Sequence, residues 1–165
     1  MRREALPARR SAPFTSLVTV STERPRRERE VRQQLLAPTI LAVVAAGGAL
    51  GAVARHGLDL LIPRDPGEVP WATLTANVAG SFLIGLAAVY LIEGRQPSRW
   101  AYPFVGTGIL GGFTTFSTYA VQARILVGED EAALAVGYVL GTLALALLAV
   151  RVGTVLGRRL FGGTA

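Results

Sequence analysis

The sequence predicts an all-α membrane protein with four transmembrane helices, the third broken at its centre. Three observations carry that expectation. Of 165 residues, 51% are hydrophobic and mean hydropathy is +0.43, which is the composition of a polytopic membrane chain. Four stretches reach the roughly 20 apolar residues that a bilayer core demands, and the connections between them leave no room for a soluble domain. The third stretch, uncharged from Trp100 to Ala123, is crowded at its middle with glycine and hydroxyl residues that a lipid-facing helix does not need.

The chain divides into an arm (1–38), a membrane domain (39–158) and a short tail (159–165). The arm holds nine arginines against four glutamates, several prolines and little periodicity, so it reads as disordered. No short apolar core with a small-residue cleavage site precedes the first span, so the arm does not resemble a signal peptide. Beside a span it can lie on anionic lipid headgroups. All 17 basic residues are arginine. With Ala, Gly and Val also abundant, that reads as genomic bias. There is no cysteine, hence no disulfide framework.

The first span covers residues 39–62, with Pro38 placed just ahead of it. Gly47 and Gly51 form a Gly-x-x-x-Gly pair, a close-packing surface in membranes. Arg55 lies deep in this span and is a functional candidate on that ground. The same arginine, with His56 and Asp59, can also snorkel to the far interface. The second span, Trp71–Ile92, has 22 residues and no formal charge. Its Thr73, Asn77 and Ser81 follow i, i+4, i+8 and share a face. They read either as interhelical hydrogen bonding or as a donor track for an anion.

In the third span the centre is Gly111-Gly-Phe-Thr-Thr-Phe-Ser-Thr118. Gly111-Gly112 invites a break, because glycine carries the largest backbone entropy cost in a helix. Broken backbone at membrane depth survives only where it is buried in protein or lines a polar cavity. Close helix packing explains the glycines but explains the hydroxyl run poorly. Residues 132–150 form the fourth span, where Gly137 and Gly141 make another small-residue pair and Tyr138 and Thr142 share a face. A Thr-Val-Gly-Tyr-Gly filter and a Gly-Lys-Ser phosphate loop are both absent. With one histidine, no cysteine and no carboxylate pair inside the spans, the sequence reads as no enzyme and offers no side-chain metal site.

Three motifs in order then resemble the CrcB/Fluc family of small fluoride channels over about residues 40–156. They are Gly47-Gly-x-x-Gly-x-x-x-Arg55, Thr73-Leu-x-x-Asn77-x-x-Gly80-Ser81-Phe82, and the Gly111–Thr118 string. The resemblance implies an antiparallel dimer with two fluoride pores and a central structural sodium ion. By position, backbone carbonyls of Gly111 and Thr114 hold the sodium. Phe116 and Tyr119 are the pore aromatics, presenting electropositive ring edges. Asn77 donates to fluoride, Ser117, Thr118 and Thr142 supply hydroxyls, and Arg55 adds a positive field near an entrance. Tyr119 stands where the family usually has phenylalanine, and Ala146, one turn beyond Thr142, leaves the fourth helix poor in hydroxyls.

Charge placement adds an expectation about assembly. The arm, Arg95, Arg99, Arg158 and Arg159 fall on one side of a four-span chain, and the first loop opposite holds only Arg64. The positive-inside rule puts both termini in the cytoplasm of a plasma-membrane protein. An antiparallel homodimer needs one sequence to insert both ways, so the expected partner is a second, oppositely oriented homologue. The partners expected are therefore fluoride, lipid and that homologue. The arm's acidic residues and lack of aromatic interleaving argue against nucleic acid. Two alternatives stay open: a non-conducting partner subunit, and a four-helix multidrug exporter. The exporter needs a mid-membrane carboxylate in its first helix, where only Asp59, near the end, is available. Because the chain has no cysteine, a single Thr164→Cys in the tail reports orientation in cells. Labelling by an impermeant maleimide only after the membrane is opened is expected; substantial labelling of intact cells would contradict a single orientation.

Overall fold

The computed structural model describes residues 38–65, 67–93 and 99–161, and every described element is helical. The arm's expected disorder therefore lies outside the described residues. Helix α1 is Pro38–Leu61. Helix α2, Trp71–Ala88, widens into a π-helical turn, Val89–Glu93. A second π-helical segment, Tyr102–Leu110, runs into one α-turn, Gly111–Phe113. Helix α3, Ser117–Gly128, and helix α4, Ala132–Phe161, complete the chain. Three helices are long and apolar enough to cross a membrane: Pro38–Leu61, Trp71–Ile92 and Ala132–Phe161.

The remaining apolar stretch is interrupted. Thr114 is extended, with φ −80° and ψ 154°, and helix resumes at Ser117. The expected break at Gly111-Gly112 is thus displaced: both glycines stay helical and the chain opens at Thr114, two residues beyond Gly112. Gly112 has a different task, since a Cβ there would collide with the Gly48 carbonyl.

Two seams of backbone contact organise the bundle. On α1, a Cβ at Gly47 would strike the Phe104 carbonyl, and one at Gly51 would strike the Ile109 carbonyl and lie 2.8 Å from Phe113 N. Gly108 answers from the other side, against Val44 and Gly47. Residue numbers rise together along this seam, so α1 and the Tyr102–Leu110 segment run parallel. Helices α2 and α4 are parallel too: Gly153 meets Phe82, Gly85 meets Val150 and Thr154, and Gly157 meets Val89. Packing between helices in lipid rests on such close approach, because tails are as apolar as the side chains they would exclude. The Gly137/Gly141 pair does not serve this purpose within the chain. Nothing lies within 4 Å of a Cβ at either position, and α4 uses Gly153 and Gly157, farther along, instead.

The α3–α4 turn is held by the chain's own backbone. Asp130 adopts φ +62°, the left-handed cap position that short polar residues tolerate. Glu131 N–H donates to the Leu126 carbonyl at 2.9 Å and Asp130 N–H to Val127 at 3.3 Å, which is the Schellman pairing. Beneath the turn, Leu126, Ala135 and Tyr138 form a buried cluster joined by Leu74, Tyr119 and Val139. The seams yield a paired expectation. Gly51→Val should lower thermal stability by more than the 1–3 kcal/mol typical of overpacking, because backbone must move. Gly137→Val should leave the chain's own fold intact. Equal melting of the two variants in detergent would contradict the seam.

Candidate functional site: a groove at the helix break

Asn77 holds the break together. Its Oδ1 accepts the Thr115 N–H at 2.8 Å and its Nδ2 donates to the Thr115 carbonyl at 3.0 Å. One side chain thereby pairs both backbone groups of a residue that has left the helix, as a neighbouring strand would. Gly80, one turn along α2, allows the approach: a Cβ there would run into the Thr114 methyl and sit 3.4 Å from the Phe113 ring.

Thr115 does the rest with its hydroxyl. Oγ1 accepts the Thr118 N–H at 3.1 Å, donates to Thr118 Oγ1 at 3.1 Å and lies 3.3 Å from Ser117 Oγ. This is an N-cap for α3, satisfying a donor that a helix start otherwise leaves orphaned. The break frees carbonyls on its N-terminal side, those of Gly111 and Thr114 among them. In an unbroken helix Thr115 N–H would return to Gly111 and Thr118 N–H to Thr114. Both donors are used by side chains instead, so the Gly111 and Thr114 oxygens lose their helical partners.

Beside the break lies a groove of about 360 Å³. Asn77, Ser81 and Ile84 of α2, Thr114–Tyr119 residues 114, 115, 116 and 119, and Thr142, Leu143 and Ala146 of α4 line it. Thr142 is buried, and its Oγ1 has no hydrogen-bond partner among the described residues. Asn77 has a second N–H beyond the one given to Thr115. Phe116 is 80% exposed, with its ring centroid 5.9 Å from that of Tyr119. Tyr119 in turn lies 5.3 Å from Tyr138. Its hydroxyl donates to the Val139 carbonyl at 2.9 Å, so it ties α3 to α4 and its proton is already engaged. Tyr138 OH donates to Gln122 Oε1 at 3.1 Å, a second tie between the same helices.

The groove thus gathers Asn77, Phe116, Tyr119, Thr142 and Thr114 from three separated stretches of sequence. Ser117 and Thr118 sit one step away, in the cap around Thr115. Gly111 is exposed, with open space where a side chain would stand. Arg55 is elsewhere. It lies on α1, which contributes nothing to the lining, and its Nη1 is 3.5 Å from Asp59 Oδ2. Sequence reasoning did not single out Thr115 as a site residue, although a hydroxyl three residues before a helical N–H is a readable cap signal. Ser81, read on the Asn77 face as part of a candidate donor track, does line the groove.

Chemically the groove offers an amide N–H, an unpartnered hydroxyl and aromatic rings, without a formal charge. Such a set suits a small anion in transit, because neutral donors hold it without trapping it.

Comparison with known proteins agrees with this chemistry. Residues 42–154 match the family model described as CrcB-like protein, Camphor Resistance (CrcB). A Nocardia farcinica protein named fluoride-specific ion channel FluC 2 is 44% identical over 119 residues, covering 72% of this chain and 85% of its own length. The fluoride-specific ion channel FluC of Paracoccus denitrificans is 45% identical over 118 residues, covering 72% and 94%. Fluoride-specific ion channel FluC 1 of Mycobacterium tuberculosis is 45% identical over 119 residues, covering 72% and 90%.

Removing the Asn77 amide leaves a half-buried N–H and C=O of Thr115 unpaired, at a cost of about 1–3 kcal/mol. Asn77→Ala should accelerate amide hydrogen exchange at residues 113–120 while α1 keeps its protection. Unchanged exchange at Thr115 and Thr118 would show that the break is held some other way.

Proposed function

The chain belongs to the CrcB family of fluoride-specific ion channels, and on that premise we propose that it lets cytoplasmic fluoride leave the cell passively, through pores completed by an antiparallel partner. It is a multi-pass membrane protein and a channel, not an enzyme. The observation that carries the reading is the groove at the break, where the spare Asn77 N–H and the unpartnered Thr142 hydroxyl meet the Phe116 and Tyr119 rings.

Fluoride is small and strongly hydrated, so a pore must replace its water with close donors and exclude larger anions by width. Asn77 and Thr142 donate directly, and ring edges of Phe116 and Tyr119 add positive electrostatic potential without hydrogen-bond geometry. Ser117 and Thr118 extend the hydroxyl path beyond the cap. Tyr119 contributes its ring, because its hydroxyl proton belongs to Val139. Arg55, outside the groove and beside Asp59, acts at an entrance through its field.

In this reading the two halves of the broken stretch together form a fourth span, and both termini are cytoplasmic. The exposed Phe116 and the open side of the groove are covered by a second subunit of opposite orientation. A structural sodium ion fits the residues present. The Gly111 and Thr114 carbonyls have lost their helical donors to Asn77 and Thr115, and carbonyl oxygen is an apt ligand for a hard cation. Among the described residues no cluster of His, Cys, Asp or Glu competes for a metal. Sodium would fasten the two breaks together at the dimer interface.

A second reading, a partner subunit that does not itself conduct, draws support from the α4 wall. Leu143 and Ala146 flank Thr142, leaving one hydroxyl on that side. The exporter reading loses ground, since no carboxylate lines the groove and Asp59 is beside Arg55.

Fluoride efflux from liposomes, with chloride as control, tests the proposal. The purified chain alone should release little fluoride; adding the oppositely oriented homologue should give fast fluoride release with little chloride leak. Fast release by the chain alone would overturn obligate pairing. No release in either preparation would overturn the fluoride assignment.

A further inference from the structure

The last third of α4 carries a surface that ion passage does not use. At 1.5 Å per residue, Arg151 lies about 28 Å along the helix from Ala132 and Arg159 about 40 Å. The pair therefore brackets the level where a hydrocarbon core of about 30 Å gives way to headgroups. Leu148, Val152, Val155 and Arg159 follow i, i+4, i+7, i+11 and form one stripe. With Arg151 and Leu156 they line a groove of about 310 Å³. All six residues are exposed. Gly153 and Gly157 face α2, so the stripe looks away from the α2–α4 seam. Among the described residues neither Arg151 nor Arg159 has an ion-pair or hydrogen-bond partner.

We propose that this face binds an anionic phospholipid, its phosphate held by Arg151 and Arg159 and its first chain segments lying along Leu148, Val152 and Val155. Guanidinium forks match phosphate oxygens in pairs, and the apolar stripe continues directly from the charged end toward the hydrocarbon. Charge favours lipid over a second copy of the chain. A protein contact here would bury two arginines at a cost unless it supplied carboxylates, whereas every anionic lipid brings its own phosphate. The inference rests on the membrane-spanning reading and not on the identity of the ion conducted.

The test titrates tail-labelled phosphatidylglycerol into the full chain in mild detergent, with equally labelled phosphatidylcholine as control. Wild type should prefer phosphatidylglycerol. At about fivefold per basic residue near a headgroup, Arg151→Gln/Arg159→Gln should lose about twenty-five-fold in phosphatidylglycerol affinity. The lysine pair, Arg151→Lys/Arg159→Lys, keeps the charge without the fork, so it should fall between wild type and the glutamine pair while still preferring phosphatidylglycerol, and it guards against a folding artefact. No preference in wild type, or an unchanged preference in the glutamine pair, would overturn the proposal. So would displacement of the labelled lipid by millimolar inorganic phosphate alone, which would make the site one for a free anion. A dimer-to-monomer shift in the glutamine pair with lipid affinity unchanged would make the face a contact between copies. Efflux on the same samples reports the channel assignment separately.

Discussion

The pairing of Asn77 with both backbone groups of Thr115 is the constraint on which the rest depends. A helix interrupted inside hydrocarbon exposes donors and acceptors that no water can satisfy. Here a side chain from α2 and a hydroxyl from the interrupted segment itself take up two of the donors released at the break, the N–H groups of Thr115 and Thr118. Without them those backbone groups would be left unpaired, the break would loosen, and the groove would lose the geometry that sets it.

The glycine seams make that arrangement stable. Helix α1 grips the Tyr102–Leu110 side of the break, while α2 and α4 grip each other. Both halves of the interrupted stretch are consequently anchored, the second by Tyr119 to Val139 and by Tyr138 to Gln122. On α4 the backbone contact and the polar groove share a face but lie at different levels, Thr142 and Ala146 in the groove and Gly153 and Gly157 farther along in the seam. That separation lets the groove carry unpartnered donors without loosening the bundle, a departure from full polar satisfaction that is expected at functional sites.

Much of this was legible in sequence because hydrophobic length and polar interruption are local signals. The second span was read at Trp71–Ile92, which is the extent of the apolar helix, and the first differed by one residue at each end. Crowded glycines and hydroxyls marked the third stretch as interrupted, with the break read at Gly111-Gly112. Its position was not legible, because Asn77, the residue that sets it, lies 38 residues away in sequence. Tyr119 shows the same limit: its hydroxyl partner on α4 is visible only once the helices are placed. Glycine pairs illustrate a third limit. Spacing alone does not distinguish Gly47/Gly51, which touch backbone, from Gly137/Gly141, which face open space.

The account stands on one link, from the Asn77 splint to fluoride passage. Its most direct test is fluoride-electrode recording from vesicles that hold Asn77→Ala together with the oppositely oriented homologue, beside wild type, with helicity checked in both. At least about a tenfold loss of efflux is expected, the equivalent of 1.4 kcal/mol or more, with helical content preserved. Efflux at the wild-type rate would contradict the account, since the break would then conduct without the residue that holds it open.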